Sequence, residues 1–254
     1  MSTTNISERI RSLSPLLIDR LAAGEVIEAP ASVIKELMEN AIDAGASSIY
    51  VETEGAGLTK ILVRDDGSGI YYEDLPAAIE RHATSKISDL QDVEQILTFG
   101  FRGEALASIA SVSHLEIKSQ KKGEETGGFI RSRGGKIEAY EKVSAKKGTS
   151  IAVEELFFST PARKKYVKSE KRENQRNQQE ILKIALAHPG VRIEYVRDGR
   201  EMLSLPSAAG VLDRIRDIYG ETFAQRLIPV DSGTDGIRLT GYAGNPDNFR
   251  SSRE

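Results

Sequence analysis

Glu36 and Asn40 stand four residues apart in the stretch Lys35-Glu36-Leu37-Met38-Glu39-Asn40-Ala41-Ile42-Asp43-Ala44-Gly45. In an α-helix that spacing sets a carboxylate and an amide oxygen one above the other on the same face. A carboxylate half-sheltered by apolar neighbours can take a proton from water, and an amide oxygen beside it is a hard ligand suited to Mg²⁺. Both residue types are also ordinary occupants of the border of an amphipathic helix, so the spacing alone leaves the two readings open. Glu39 points elsewhere, and its place one turn after Lys35 predicts a surface ion pair.

The helix that would carry these groups has a clear apolar stripe. At about 100° per residue, Val33, Leu37 and Ala41 form one row and Ile34, Met38 and Ile42 the next, wide enough to lie on a sheet. Ser32 is a candidate N-cap with an incomplete capping box, since Lys35 stands where Glu would complete it, and Gly45 is the expected stop. Pro30 biases Ala29 away from helical angles. Residues 48–54 then alternate with period two, Gly55-Ala56-Gly57 turns the chain, and residues 58–64 return as the second arm of a hairpin. That arm runs into Asp65-Asp66-Gly67-Ser68-Gly69-Ile70, where an acidic side chain at a strand end meets a backbone that a ligand can approach closely.

Further along, residues 73–81 are helical in pattern, and His82-Ala83-Thr84-Ser85-Lys86 gathers hydroxyl and ammonium donors. Gly100-Phe101-Arg102-Gly103-Glu104-Ala105-Leu106 opens a helix over 105–110, so Gly100 and Gly103 would expose N–H groups near a helix N-terminus, where phosphate is the natural guest. No Gly-Lys-Ser/Thr ends that turn and neither Gly-x-Gly pair has the third glycine of a dinucleotide fingerprint, which disfavours both common nucleotide folds. Strands are predicted over 115–119, 128–133, 136–143 and 149–154, followed by one densely charged helix from 160 to 188 and a hairpin over 191–196 and 201–205. A helix over 211–219 and a strand around 237–242 look like the start of another unit.

Bulk properties narrow the classes. The 254 residues are 39% hydrophobic and 29% charged, enough for one large domain and part of another. With no cysteine, disulfides, zinc-thiolate sites and a cysteine nucleophile are excluded, leaving three histidines. No apolar run is long enough to cross a membrane and no apolar leader follows a basic start, so a cytoplasmic, membrane-free protein is expected, nucleoid-associated if it works on DNA. Lys+Arg 35 against Asp+Glu 38 gives a net charge of −3, so any nucleic-acid contact must come from a local patch.

Taken together, Ala22-Ala23-Gly24-Glu25-Val26-Ile27-Glu28, Lys35 to Asn40, Asp65 to Ile70, His82 to Lys86 and Gly100 to Leu106 closely resemble the MutL family of DNA mismatch-repair ATPases, in the right order and spacing over nearly the whole chain. The resemblance implies an α+β fold of the GHKL, or Bergerat, type shared with DNA gyrase, heat-shock chaperones and histidine kinases: helices on a mixed sheet with a glycine-rich lid, followed by the start of a second α/β domain. The expected division is an arm over 1–20, the ATPase domain over 21–206 and an incomplete second domain over 207–254.

The resemblance further implies roles. Glu36 is expected as the general base for the hydrolytic water, Asn40 as the protein ligand to Mg²⁺, and Asp65 as acceptor for the adenine amino group, with Gly67 and Gly69 leaving room for the base. Thr149 would assist adenine binding by its hydroxyl or a water, Thr84, Ser85 and Lys86 would lie in the lid, and Gly100, Phe101, Arg102, Gly103, Glu104, Ala105 and Leu106 would wrap the phosphates. Asp66 departs from many relatives, which have Asn, and is expected to face outward or to raise the pKa of Asp65. The implied partners are ATP with Mg²⁺, a second copy of the chain on ATP binding, a mismatch-recognition protein of the MutS type, and DNA held non-specifically. The motive for DNA is Arg163, Lys164, Lys165, Lys168, Lys171 and Arg172, although Glu170 and Glu173 among them also fit a merely solvated face. The family's second-domain lysine is expected beyond Glu254, and no nuclease activity is expected. A different class of function, a nucleotide-sensing scaffold without turnover, fits the same motifs and is separated from an ATPase by Glu36→Ala.

Overall fold

The computed structural model describes residues 27–81, 83, 103–167, 169–234 and 236–246. The arm over 1–20, the motif from Ala22 to Val26, His82, the lid residues Thr84, Ser85 and Lys86, and Gly100, Phe101 and Arg102 therefore lie outside the described residues, as does Lys168.

Helix α1 (Pro30–Asp43) buries Val33, Ile34, Leu37, Met38 and Ala41, the two rows its periodicity demands. Its start differs from expectation: Ala29, extended at φ −152° and ψ 164°, is the cap, and Pro30 is the first helical residue. Proline has no N–H to leave unbonded at that position, and the Ser32 N–H bonds back to the Ala29 carbonyl. At the other end the Gly45 N–H reaches the Ile42 carbonyl and the Ala46 N–H the Ala41 carbonyl, which closes the helix where expected.

Strands β1 (Ser48–Glu54) and β2 (Lys60–Asp65) form the predicted antiparallel hairpin through the turn Gly55–Gly57. After a turn at Tyr72–Asp74 comes α2 (Leu75–Ala78), a single helical turn. The expected helix over 73–81 is thus mostly turn: Pro76 sits within its first residues, and Leu75 and Ile79 are the only apolar side chains it buries, too few to hold a longer helix. Then follow α3 (Ala105–Val112), β3 (His114–Gln120), β4 (Gly127–Arg133), β5 (Lys136–Val143) and β6 (Gly148–Glu154). The charged stretch is two helices, α4 (Pro161–Tyr166) and α5 (Glu170–Ala187), where one was predicted. The break is made by Ser169, non-helical at ψ 148°, whose carbonyl accepts from the Arg172 and Glu173 N–H groups. Strands β7 (Arg192–Arg197) and β8 (Arg200–Leu205) form the second hairpin.

Eight strands make one sheet in the order β5-β4-β3-β6-β2-β1-β7-β8. Every neighbouring pair is antiparallel except β1 and β7, so the sheet is mixed. Alternate residues such as Ile49 and Val51 of β1, Ile117 of β3, Ile151 and Val153 of β6 and Ile193 and Tyr195 of β7 face one core with α1, α3 and Ile181 and Ala185 of α5. The centre of this sheet is where β2, β6 and β3 end side by side, which brings Asp65, Thr149 and Ser119 together.

Beyond residue 206, α6 (Val211–Tyr219), α7 (Glu221–Ala224) and the hairpin of β9 (Leu227–Thr234) with β10 (Ile237–Gly244) follow. Arg214 of α6 is fully buried, and its Nη2 donates to the carbonyls of Pro189 at 2.7 Å and Val191 at 2.6 Å, fastening α6 to the end of α5 and the start of β7.

Candidate active site

Asp65 ends β2 directly opposite Thr149 of β6. Its carboxylate accepts from the Gly67 N–H at 2.9 Å and from the Thr149 N–H. Burial nevertheless dominates, and it pushes the Asp65 carboxyl above the ordinary aspartate range; the two N–H donors work the other way, and the neighbouring Asp66 charge adds least. A carboxylate so placed is short of donors and suited to receive one from a ligand.

Asp66 has the opposite fate. It is exposed and turned away, accepting from the Ser47 N–H at 2.8 Å, the Ser48 N–H at 2.9 Å and the Ser47 hydroxyl at 2.5 Å. Burial acts against its charge, yet these donors outweigh it and hold its carboxyl below the ordinary range. It staples the turn to the loop that follows α1, which agrees with the outward placement expected for it.

The glycine turn is bolted between α1 and the sheet. The Ser68 N–H donates to the Ala44 carbonyl at 2.9 Å, Gly67 packs against Ala44, and the Ile70 N–H donates to Ser119 Oγ at 2.9 Å. At Gly69, with φ +70°, an added Cβ would lie 2.1 Å from the Gln120 carbonyl oxygen, and at Gly148, with φ +100°, one would lie 2.1 Å from that of Asp65. Neither position admits a side chain without moving a strand end. Ser119 is buried and joins the pieces, donating to the Gly148 carbonyl at 2.9 Å and lying 3.0 Å from Thr149 Oγ1.

Glu36 and Asn40 occupy the half-buried edge of α1, with Val33, Leu37 and Ala41 inward of them. The Lys35 ammonium is 2.9 Å from Glu39, the pairing expected, and 3.5 Å from Glu36, whose side chain is 25% exposed. The same helix therefore presents a carboxylate and an amide at its edge and, through Ala44, holds the turn that follows Asp65. Gly103 backs onto the Ala83 backbone, Glu104 accepts from the Ser108 N–H at 2.8 Å as α3 begins, and Ala105 and Leu106 are half-buried, Leu106 against the core.

Residues 27–166 match the family described as histidine kinase-, DNA gyrase B-, and HSP90-like ATPase. The DNA mismatch repair protein MutL of Leptospira biflexa is 47% identical over 244 residues, 96% of this chain and 40% of that protein, and the MutL of Chelativorans is 46% identical over 247 residues, 96% and 40% respectively. Among solved structures, the Aquifex aeolicus MutL ATPase domain complexed with ADP is similar at a TM-score of 0.68 and 30% identity, over 86% of this chain and 78% of that one. The chain belongs to the MutL family.

It spans about two fifths of the length of the MutL proteins it matches. The eight-stranded mixed sheet with its helices is the GHKL ATPase fold that the MutL motifs implied. Two features of this MutL chain escaped the sequence. Ser119, at the end of a strand, carried no motif. Glu173, read as one of the carboxylates diluting a basic helix face, is 1% exposed and stands 3.6 Å from Arg176, so it points inward. Lys164, Lys165, Lys171 and Arg172 remain exposed, whereas Arg163 is half-buried with its guanidinium 5.9 Å from the Phe157 ring centre. The apolar hollow lined by Leu186, Ile215, Tyr219, Phe223, Leu227 and Tyr242 shares no residue with the MutL site. Among the described residues no helix is long and apolar enough to cross a membrane.

Proposed function

We propose that this chain is the ATP-binding and ATP-hydrolysing part of a MutL-type mismatch-repair protein, with the adenine amino group at Asp65 and the hydrolytic water at Glu36. The observation that carries this reading is the Asp65 carboxylate, half-buried at a strand end with two N–H donors fixed and acceptor capacity left over, in a turn whose glycines keep the approach open. An adenine amino group supplies the missing donor, and a guanine carbonyl would face a carboxylate.

Glu36, a quarter exposed on the edge of α1, is placed where a carboxylate can accept a proton from a water. The Asn40 amide oxygen is the right type of donor for Mg²⁺, and no group of three or more histidines and carboxylates converges among the described residues, so the phosphates and waters would complete the metal's shell. Bound there, Mg²⁺ would neutralise developing charge on the phosphate oxygens. The N–H groups where α3 begins, after Gly103, suit a phosphate, and Thr84, Ser85, Lys86, Gly100, Phe101 and Arg102 complete the assignment by family likeness.

Dimerisation on ATP binding, through ordering of the lid and the arm over 1–20, and recruitment by a MutS-type protein follow the same likeness. So does a boundary near 206 between the ATPase domain and a second domain. Non-specific DNA contact gains from the inward turn of Glu173, which leaves Lys164, Lys165, Lys171 and Arg172 with less acidic company; charge reversal at Lys164 and Lys165 should weaken duplex binding irrespective of sequence and flatten its salt dependence.

The test of the enzyme is Glu36→Ala. Loss of a general base is expected to lower turnover by roughly 10²–10⁴-fold while ATP affinity stays within about threefold. Unchanged turnover would remove Glu36 from the chemistry, and no turnover in the unaltered chain would favour the nucleotide-sensing scaffold.

A further inference from the structure

We infer that Ser119 fixes the Thr149 hydroxyl as a hydrogen-bond acceptor towards the ligand, and thereby sharpens the choice of a 6-amino over a 6-oxo purine. This rests on the adenine assignment above and adds a residue to it.

Ser119 Oγ has three partners: the Gly148 carbonyl oxygen at 2.9 Å, the Ile70 N–H at 2.9 Å and Thr149 Oγ1 at 3.0 Å. A hydroxyl carries one proton and two lone pairs. The carbonyl can only accept, so the Ser119 proton goes to Gly148. The Ile70 N–H can only donate, so it takes one lone pair. The remaining lone pair can meet Thr149 only if Thr149 is the donor. All three contacts are then satisfied at a serine with no exposed surface, where an unmet contact is costly.

Thr149 has thus given its only proton to Ser119, and what remains on Oγ1 is acceptor capacity. Asp65, opposite it on β2, is an acceptor too once the Gly67 and Thr149 N–H groups are in place. The two side chains at the ends of adjacent strands therefore both ask the ligand for donors. An amino group at position 6 of a purine answers that demand. A 6-oxo group does not, and Thr149 is prevented from rotating its hydroxyl to accommodate it. Ser119 touches no ligand; it is a positioning residue that acts through Thr149.

The test is the ratio of affinities for ATP and inosine triphosphate, titrated with Mg²⁺ into the unaltered chain, Ser119→Ala, Thr149→Val and the double variant. In Ser119→Ala the Thr149 proton is released and can turn to a 6-oxo group, so the ratio should fall about tenfold, the worth of one hydrogen bond. Loosening of the turn alone would weaken both nucleotides equally. In Thr149→Val there is no hydroxyl to redirect, so adding Ser119→Ala should leave the ratio as it is in Thr149→Val. If Ser119→Ala does not fold, Ser119→Cys, with a similar shape and a weaker donor and acceptor, should show the same fall to a smaller degree. An unchanged ratio in the folded Ser119 variant, or an equal fall in the Thr149→Val background, overturns the role of Ser119 and leaves the adenine assignment standing. An unaltered chain that does not prefer ATP overturns the assignment itself, and this inference with it.

Discussion

At the base end of the site, Asp65, Ser119 and Thr149 hold one another from the ends of three adjacent strands, with the Gly148 carbonyl and the Ile70 N–H drawn into the same network. On the edge of α1, by contrast, Glu36 is a quarter exposed and stands 3.5 Å from a lysine whose closer partner, at 2.9 Å, is Glu39. The first region is fixed by long-range pairing before any ligand arrives. The second has its placement fixed by the buried stripe of α1 and lies at the half-buried edge of the helix, where a ligand can reach it. Selection of the base and cleavage of the phosphate are therefore built with different degrees of preorganisation, and substitutions should separate them.

The largest separation is expected from Glu36, whose loss acts on turnover and spares affinity as described above. Asp65→Asn should do the reverse: ATP affinity should fall about a hundredfold, since a half-buried charged acceptor is replaced by a neutral group that can also present a donor. The melting temperature of the nucleotide-free chain at pH 7 should not fall with it. Parallel losses of stability and affinity would show that Asp65 serves the fold, and the contrast between the two regions would fail.

Two adjacent aspartates sharpen the same point through pH. The Asp65 carboxyl lies above its unfolded value, so its contribution to stability is present below that value, about 3.9, and is lost as pH rises through the folded pKa. ATP binding needs the charged form and should weaken as pH falls through that same raised pKa, a dependence that Asp65→Asn should abolish. Asp66 has the opposite sign: its contribution is present above the unfolded value and lost as pH falls through the depressed folded pKa. Asp66→Asn should thus lower the melting temperature at pH 7 and converge with the unaltered chain in acid. Titrations of melting temperature and ATP affinity for the two variants read both signs.

The smallest effect is expected at Lys35, 45% exposed in its side chain. Lys35→Ala should change unfolding free energy by no more than about 0.5 kcal/mol, since exposed helix pairs contribute little. A large loss would mean that the edge of α1 is held by its ion pairs, and not by Val33, Leu37 and Ala41.

Much of this was legible in the residues because the signals were local. The two apolar rows of α1, the alternation of β1 and the glycines after Asp65 each follow from a period or a backbone requirement that needs no knowledge of neighbours. Ser119 was not legible, because its partners lie 49 and 30 residues away and meet it only once β3 and β6 are paired. Glu173 was misread for the same kind of reason: in a run of charges nothing local marks the one that packing turns inward. The break before α5 did carry a local signal, Ser169 as a helix start, which the surrounding charge pattern obscured.

A crystal structure with Mg²⁺ and a non-hydrolysable ATP analogue tests the site most directly. The adenine amino group should lie within hydrogen-bonding distance of the Asp65 carboxylate, the metal on the Asn40 amide oxygen, and a water within reach of Glu36. A base bound away from Asp65, or a metal and water that ignore the edge of α1, would contradict it.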